Sequence, residues 1–228
     1  MGLRLFVRCG IDTPILRVSD MPSRAHWEQV YATRRADEVS WYQPIPTRSL
    51  ALLAEAGLTP DSRIIDVGGG DSTLVDALLD RGVRHVTVLD ISGAALARAQ
   101  ARLGPRAGTV TWIAADATAA ELPPASFDFW HDRAVFHFLT DADARAAYVE
   151  RARRAIRPGG TLIVSAFASD GPTRCSGLEV ARYEPESVAG EFGEDFELVR
   201  GLKDSHRTPS GAEQRFIYAV LRRRSDAG

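Results

Sequence analysis

Hydrophobic and polar positions along this chain fall into blocks that switch between two periods. Short apolar, β-branched runs at 63–67, 85–89, 109–113, 127–131 and 161–167 read as strands buried on both faces. Between them, apolar residues recur at helical spacing near 72–81, 93–103 and 141–156. The last of these helices opens on Thr140 or Asp141 as N-cap and stops at Arg157-Pro158-Gly159-Gly160. Strand and helix in alternation from Arg63 to Phe167 predict an α/β fold around a parallel sheet.

Beyond Phe167 the pattern changes. Gly171-Pro172 and Ser176-Gly177 mark loops, and a short helix is expected around 185–192. Two further strands, Phe196–Leu202 and Gln214–Leu221, flank a polar stretch, 205–211, that reads as a loop. Together they predict an antiparallel hairpin that leaves a reversed strand at the sheet's edge. Upstream, His26, Trp27 and Tyr31 punctuate an amphipathic helix over 24–35, and Trp41 and Tyr42 follow it. A second helix runs from Thr47 to Ala56 and ends at Gly57. Residues 1–20 lack periodicity and read as a dispensable, disordered leader, with Met21 as the natural start. Their lack of an amphipathic helix argues against a targeting segment.

Composition narrows the class. The length suits one domain with a sizeable core, and the charged and apolar fractions are those of a soluble globular protein. A net charge of −2 argues against nucleic acid as an obligatory partner. No apolar run approaches the ~20 residues that span a bilayer, so no membrane role is expected. Cys9 and Cys175 form no disulfide framework, which makes a reducing cytoplasm the expected compartment. The histidines and cysteines show no metal-ligand spacing, so no metal is expected. Oligomeric state is not legible.

The chemistry concentrates at Ile64-Ile65-Asp66-Val67-Gly68-Gly69-Gly70-Asp71-Ser72. A strand that ends in an acid and a glycine cluster lets backbone approach a ligand closely. About 20 residues on, the next strand ends in Asp90, where an acid can accept from a ribose diol. A dinucleotide fingerprint would need a third glycine where Thr73 stands. An S-adenosylmethionine site of the D-x-G-x-G type fits better. Asp66 would repel a pyrophosphate but can accept from the cofactor's ammonium group.

The ordered set Asp66-Val67-Gly68-Gly69-Gly70, Asp90, Asp116, Phe127-Asp128-Phe129-Trp130 and Arg157-Pro158-Gly159-Gly160 resembles the class I S-adenosylmethionine-dependent methyltransferases over residues 26 to 222. Ser72 stands where many members have a third glycine. The resemblance implies a three-layer α/β/α sandwich, Rossmann-like, with a seven-stranded mostly parallel sheet whose last strand is antiparallel. Residues 21–60 would be an N-terminal helical lid, 61–222 the methyltransferase domain and 223–228 a tail. It also implies that Asp66, Gly68 and Gly70 hold the methionine portion and that Asp90 takes the ribose hydroxyls. Ile91 would pack on the adenine, and Asp116, with Ala117 beside it, would receive the adenine amino group. An ordinary N-cap is the alternative role for Asp116.

Trp130-His131-Asp132-Arg133-Ala134 is similar to the Trp-Asp-Arg segment of thiopurine S-methyltransferases. Cys175-Ser176-Gly177-Leu178, Ser205-His206-Arg207-Thr208 and Gly211 resemble the layout of tellurite-resistance methyltransferases, while His-Trp-Glu-x-x-Tyr near the start looks like relatives that methylate protein lysine. Asp132 and Arg133 are expected to orient the acceptor, with a buried ion pair as the alternative. His206 is the third catalytic candidate, and Arg133, Arg174, Arg182 and Arg207 are a candidate anion pocket. His137 and Cys175 read as core residues. Trp27, Tyr31, Trp41 and Tyr42 are expected to close over the sulfonium, to which aromatic faces are attracted.

The leading expectation is therefore methyl transfer to a small molecule, anionic or thiol-bearing, preferably a thiol or other chalcogen. Protein lysine N-methylation is the alternative, and a non-catalytic cofactor-binding regulator stands third. A dehydrogenase with a Tyr-x-x-x-Lys pair is excluded, because Lys203 is the sole lysine.

Overall fold

Seven strands make one sheet in a computed structural model that describes residues 24–225. The expected leader, Met21 and Cys9 lie outside the described residues, as does the end of the tail. In chain order the strands are β1 (Arg63–Val67), β2 (His85–Asp90), β3 (Val110–Ala114), β4 (Phe127–Arg133), β5 (Ile156–Phe167), β6 (Phe196–Arg207) and β7 (Glu213–Arg223). Their spatial order is β3-β2-β1-β4-β5-β7-β6. Strands β1 to β5 pair in parallel, and β7 is antiparallel to both its neighbours.

The reversed strand is thus inside the sheet and not at its edge as expected. Composition explains the swap. Phe216 to Leu221 are buried on both faces, whereas β6 carries Glu197, Arg200, Lys203 and Asp204 and tolerates the solvated rim.

Helices α1 (Arg24–Thr33), α2 (Thr47–Glu55), α3 (Leu74–Asp80), α4 (Gly93–Leu103), α5 (Ala142–Ala155) and α6 (Pro185–Phe192) complete three layers. Alternation along the strands divides the core. Ile65 and Val67 pack with Tyr148 of α5 and Phe192 of α6 on one face, while Ile64 packs with Leu53, Leu74 and Leu96 on the other. Among the described residues no helix is long and apolar enough to cross a membrane.

Two segments read otherwise, one as a helix stop and one as a loop, belong to strands. Arg157-Pro158-Gly159-Gly160 belongs to β5 and forms its irregularity, where the pairing with β4 slips between Phe127 and Phe129. Gly159 has φ +73°, and a Cβ on Gly160 would lie 2.8 Å from the Arg157 carbonyl oxygen, so glycines are needed here. Likewise Ser205, His206 and Arg207 extend β6 by pairing with Arg215, Gln214 and Glu213. Ser176-Gly177, both at positive φ, form the tip of a small hairpin between Arg174–Cys175 and Leu178–Glu179.

The chain leaves β1 toward β2 and β3, then returns to β4 on the other side. This reversal opens a crevice beyond the carboxyl ends of β1, β2 and β4, the place where open α/β sheets bind ligands.

Candidate active site

Two lobes of one cavity occupy that crevice. The first is floored by Gly68, Asp90, Ile91, Asp116 and Ala117 and walled by Trp27, Tyr31 and Trp41. The second is bordered by Ser49, Asp66, Gly69 and His131. Gly68, Tyr31, Trp41 and Arg133 border both.

The glycine loop is dictated by what surrounds it. A Cβ on Gly68, at φ +67°, would fall 2.0 Å from Val135; one on Gly69 would fall 2.6 Å from Asp66 Oδ2. Gly70 does not border the cavity, but its Cβ would fall 2.6 Å from Asp90 Oδ2. The loop therefore packs backbone directly on the two carboxylates.

Asp90 is buried, and one oxygen accepts from the Ser92 N–H at 2.8 Å. Burial pushes its carboxyl up to about 7, opposed by the Ser92 N–H and assisted by Asp66 and Glu28. Such a carboxylate is short of donors, which suits a ribose diol. Asp116 is half-buried, and its Oδ1 accepts from the Thr118 N–H and hydroxyl, each at 2.8 Å. No helix follows, so the residue caps a turn while bordering the cavity.

Helix α1 forms the wall through aromatic contact. Trp27 meets Phe138 at 5.1 Å and Trp41 at 5.9 Å, both edge-on, and Tyr31 meets Trp41 at 6.4 Å. Glu28 fastens the helix by accepting from the Gly93 and Ala94 N–H groups at 2.7 and 3.1 Å, at the amino end of α4. Burial raises the Glu28 carboxyl, but these bonds outweigh it and hold the group below its ordinary range. The sequence reading missed Glu28, since nothing local marks a helix-to-helix cap.

Arg133 Nη1 donates to the Trp41 carbonyl at 2.9 Å, and the guanidinium lies 4.9 Å from the centre of the Phe216 ring. Its Nε is buried without a partner, and among the described residues no carboxylate pairs with it. Cys175 borders the first lobe beside it; burial pushes that thiol up to about 12, so it stays protonated.

Asp132 does not share this site. Successive strand residues face opposite ways, so His131 and Arg133 turn to the cavity and Asp132 to α5. Fully buried there, its carboxylate accepts from the Val135 and Phe136 N–H groups and the Tyr148 hydroxyl. Burial nonetheless pushes it up to about 6. The expected Asp132–Arg133 acceptor pair is corrected to a structural carboxylate and a lone cation.

His206 is corrected too. It sits within β6, borders neither lobe, and donates through Nε2 to the Ser40 carbonyl at 2.8 Å, pinning the segment that carries Trp41. Burial and then Arg133 lower its pKa. Arg174, Arg182 and Arg207 are exposed and outside the cavity, so the four-arginine pocket is not assembled. His137 is buried between Phe138 and Phe167, and burial with Arg133 nearby pushes it down to about 3. Among the described residues no group of three or more potential metal-ligating side chains stands together.

Comparison with known proteins agrees with the geometry. Residues 64–160 match the family model described as Methyltransferase domain. An uncharacterized methyltransferase of Mycobacterium tuberculosis (strain ATCC 25618 / H37Rv) is 38% identical over 115 residues, 50% of this chain and 54% of that protein. The chain thus spans about half the length of such curated relatives. The probable thiol methyltransferase 2 of Arabidopsis thaliana is 29% identical over 185 residues, 80% of this chain and 78% of that protein. A solved structure of Burkholderia thailandensis 1,6-didemethyltoxoflavin-N1-methyltransferase, with bound 1,6-didemethyltoxoflavin and S-adenosylhomocysteine, superposes with a TM-score of 0.67 at 25% identity, over 89% of this chain and 87% of that one. Residues 64–160 thus match a methyltransferase domain model, and the seven-stranded fold around them is shared with that solved methyltransferase.

Proposed function

We propose that this protein transfers the methyl group of S-adenosylmethionine to a small-molecule thiol or other chalcogen nucleophile. The sulfonium supplies the methyl group and its own leaving group when bound, so the protein's task is alignment in a dry site. Asp90 receives the ribose hydroxyls, Ile91 packs on the adenine, and Asp116 accepts from the adenine amino group through its unengaged oxygen. Asp66 receives the ammonium group beside the backbone of Gly68 and Gly69. Trp27, Tyr31 and Trp41 exclude water and present aromatic faces to the positive sulfur.

The acceptor assignment rests on Arg133, a cation on the cavity wall with no carboxylate partner and an unpaired Nε. Two titratable groups near it offer no ready base: Cys175 keeps its proton, and His137 is held neutral and weakly basic in the core. A nucleophile that ionises unaided and arrives as an anion fits these surroundings. A lysine amine fits poorly, because it must shed a proton and its ammonium form is repelled by Arg133. The similarity to a plant protein called a probable thiol methyltransferase points the same way.

The test is transfer of labelled methyl with purified protein and with a cell extract supplemented with small thiols and selenols, resolved into small-molecule and protein fractions. Thiol-dependent label in the small-molecule fraction is the expected result, and label confined to protein overturns the reading. Arg133→Gln should lower kcat/KM for an anionic acceptor by about 10- to 100-fold, the worth of a charge-assisted hydrogen bond.

A further inference from the structure

Across the glycine loop from Asp90, three buried polar side chains form a line, and two of them, His131 and Ser49, have no part in the binding roles given above. Asp66 on β1 and His131 on β4 are directly opposite in the strand register. His131 Nδ1 lies 2.7 Å from Asp66 Oδ1, and its Nε2 lies 2.8 Å from Ser49 Oγ in the first turn of α2. Asp66, His131 and Ser49 are 3%, 2% and 0% exposed, and all three border the second lobe.

The residue types are those of a hydrolase triad, but Ser49 is fully buried within a helix and carries no exposed hydroxyl for attack. The line instead has a direction. With a neutral imidazole, the Ser49 hydroxyl donates to Nε2, which fixes the tautomer, and Nδ1–H then donates to Asp66. That bond engages Oδ1 and fixes the carboxylate plane. It leaves Oδ2, lying against Gly69, as the acceptor available to a ligand.

We infer that His131, oriented by Ser49, is a positioning residue that holds Asp66 for the ammonium group of the cofactor's amino-acid portion. This rests on the proposal that the cavity takes S-adenosylmethionine. It assigns the two lobes separate tasks: nucleoside recognition in the first, amino-acid recognition in the second.

The test compares S-adenosylhomocysteine with 5′-methylthioadenosine, a thionucleoside without the amino-acid part, by titration calorimetry on the full chain. His131→Phe should weaken S-adenosylhomocysteine binding by about tenfold and change 5′-methylthioadenosine binding by less than about twofold. His131→Asn keeps a donor near the Nδ1 position and should recover most of the loss. Equal losses on both ligands mark a merely structural residue and overturn the inference, as does unchanged S-adenosylhomocysteine binding. Should the phenylalanine variant fail to fold, Ser49→Ala carries the same test. It should lose about threefold on S-adenosylhomocysteine alone, and equal effects on both ligands overturn the inference. An unsubstituted protein that binds neither ligand instead overturns the cofactor reading beneath it.

Discussion

Burial disfavours the charge of Asp90, and this gives its titration a direction. Its group moves from an ordinary value of 3.8 to about 7 because burial disfavours the anion. The folded chain thus keeps a proton between these values that the unfolded chain releases. The associated stability is complete below about 4 and is lost as pH rises through about 7. Ribose hydroxyls donate to the ionised form, so S-adenosylhomocysteine should bind more tightly as pH rises from about 6 to 8. Calorimetry in buffers of different ionisation enthalpy should show proton release. Asp90→Asn should flatten the profile and weaken binding by about 10- to 100-fold. A pH-independent affinity in the unsubstituted protein contradicts the assignment. Asp132 makes the opposite case, a perturbed acid outside the cavity. Asp132→Ala leaves the Val135 and Phe136 N–H groups and the Tyr148 hydroxyl without their acceptor. The cost should be about 3 kcal/mol or more, a fall of roughly 6–12 °C in melting temperature for a chain of this size. Cofactor affinity of the folded variant should change by less than about threefold. A large loss of affinity without a fall in melting temperature would return Asp132 to the site.

At the scale of elements, α1 is a wall held by one carboxylate and a cluster of rings. Glu28 caps α4 from outside it, so the helix that carries Trp27 and Tyr31 is tied to the element that follows Asp90. Glu28→Ala should cost about 0.5–2 kcal/mol, the usual worth of a cap. It should also speed hydrogen exchange over residues 24–33 and weaken cofactor binding by about tenfold. Unchanged exchange there would show that the rings alone hold α1. Trp41→Ala should likewise reduce binding more than melting temperature. In the parallel half, β1, β2, β4 and β5 were legible as short runs buried on both faces. The edge strand β3 was legible as a β-branched and aromatic run that is only partly buried. The end of β6 was not: Ser205, His206 and Arg207 are polar and turn-like, and only pairing with β7 at the rim makes them strand. Period-two alternation already separates Asp132 from His131 and Arg133, and the motif-based reading passed over it. Glu28 and Ser49 were invisible for a different reason. Each acts on an element distant in sequence, and strand register or helix docking must be known before the contact exists.

At the scale of the molecule, the reversal in strand order and the glycine loop put cavity and cofactor chemistry at one end of the sheet. The order of motifs made that end readable, because Asp66, Asp90 and Asp116 stand at or just past the carboxyl ends of successive strands. The identity of the acceptor was not readable, because its wall draws on β4, the small hairpin at Cys175 and the chain between α1 and α2. A ligand that bridges these pieces must stabilise the whole fold. S-adenosylhomocysteine at about 100 times its Kd should add about 2.7 kcal/mol and raise the melting temperature by roughly 5–11 °C. NAD at the same concentration should leave it within about a degree, since its pyrophosphate would face Asp66 and Asp90 with no third glycine to admit it. Melting and turnover together separate the remaining readings. A shift with S-adenosylhomocysteine plus thiol-dependent turnover is the signature of the enzyme proposed above. The same shift with no transfer to any small thiol, selenol or protein would leave the cofactor site intact and make the chain a sensor of methyl-donor supply.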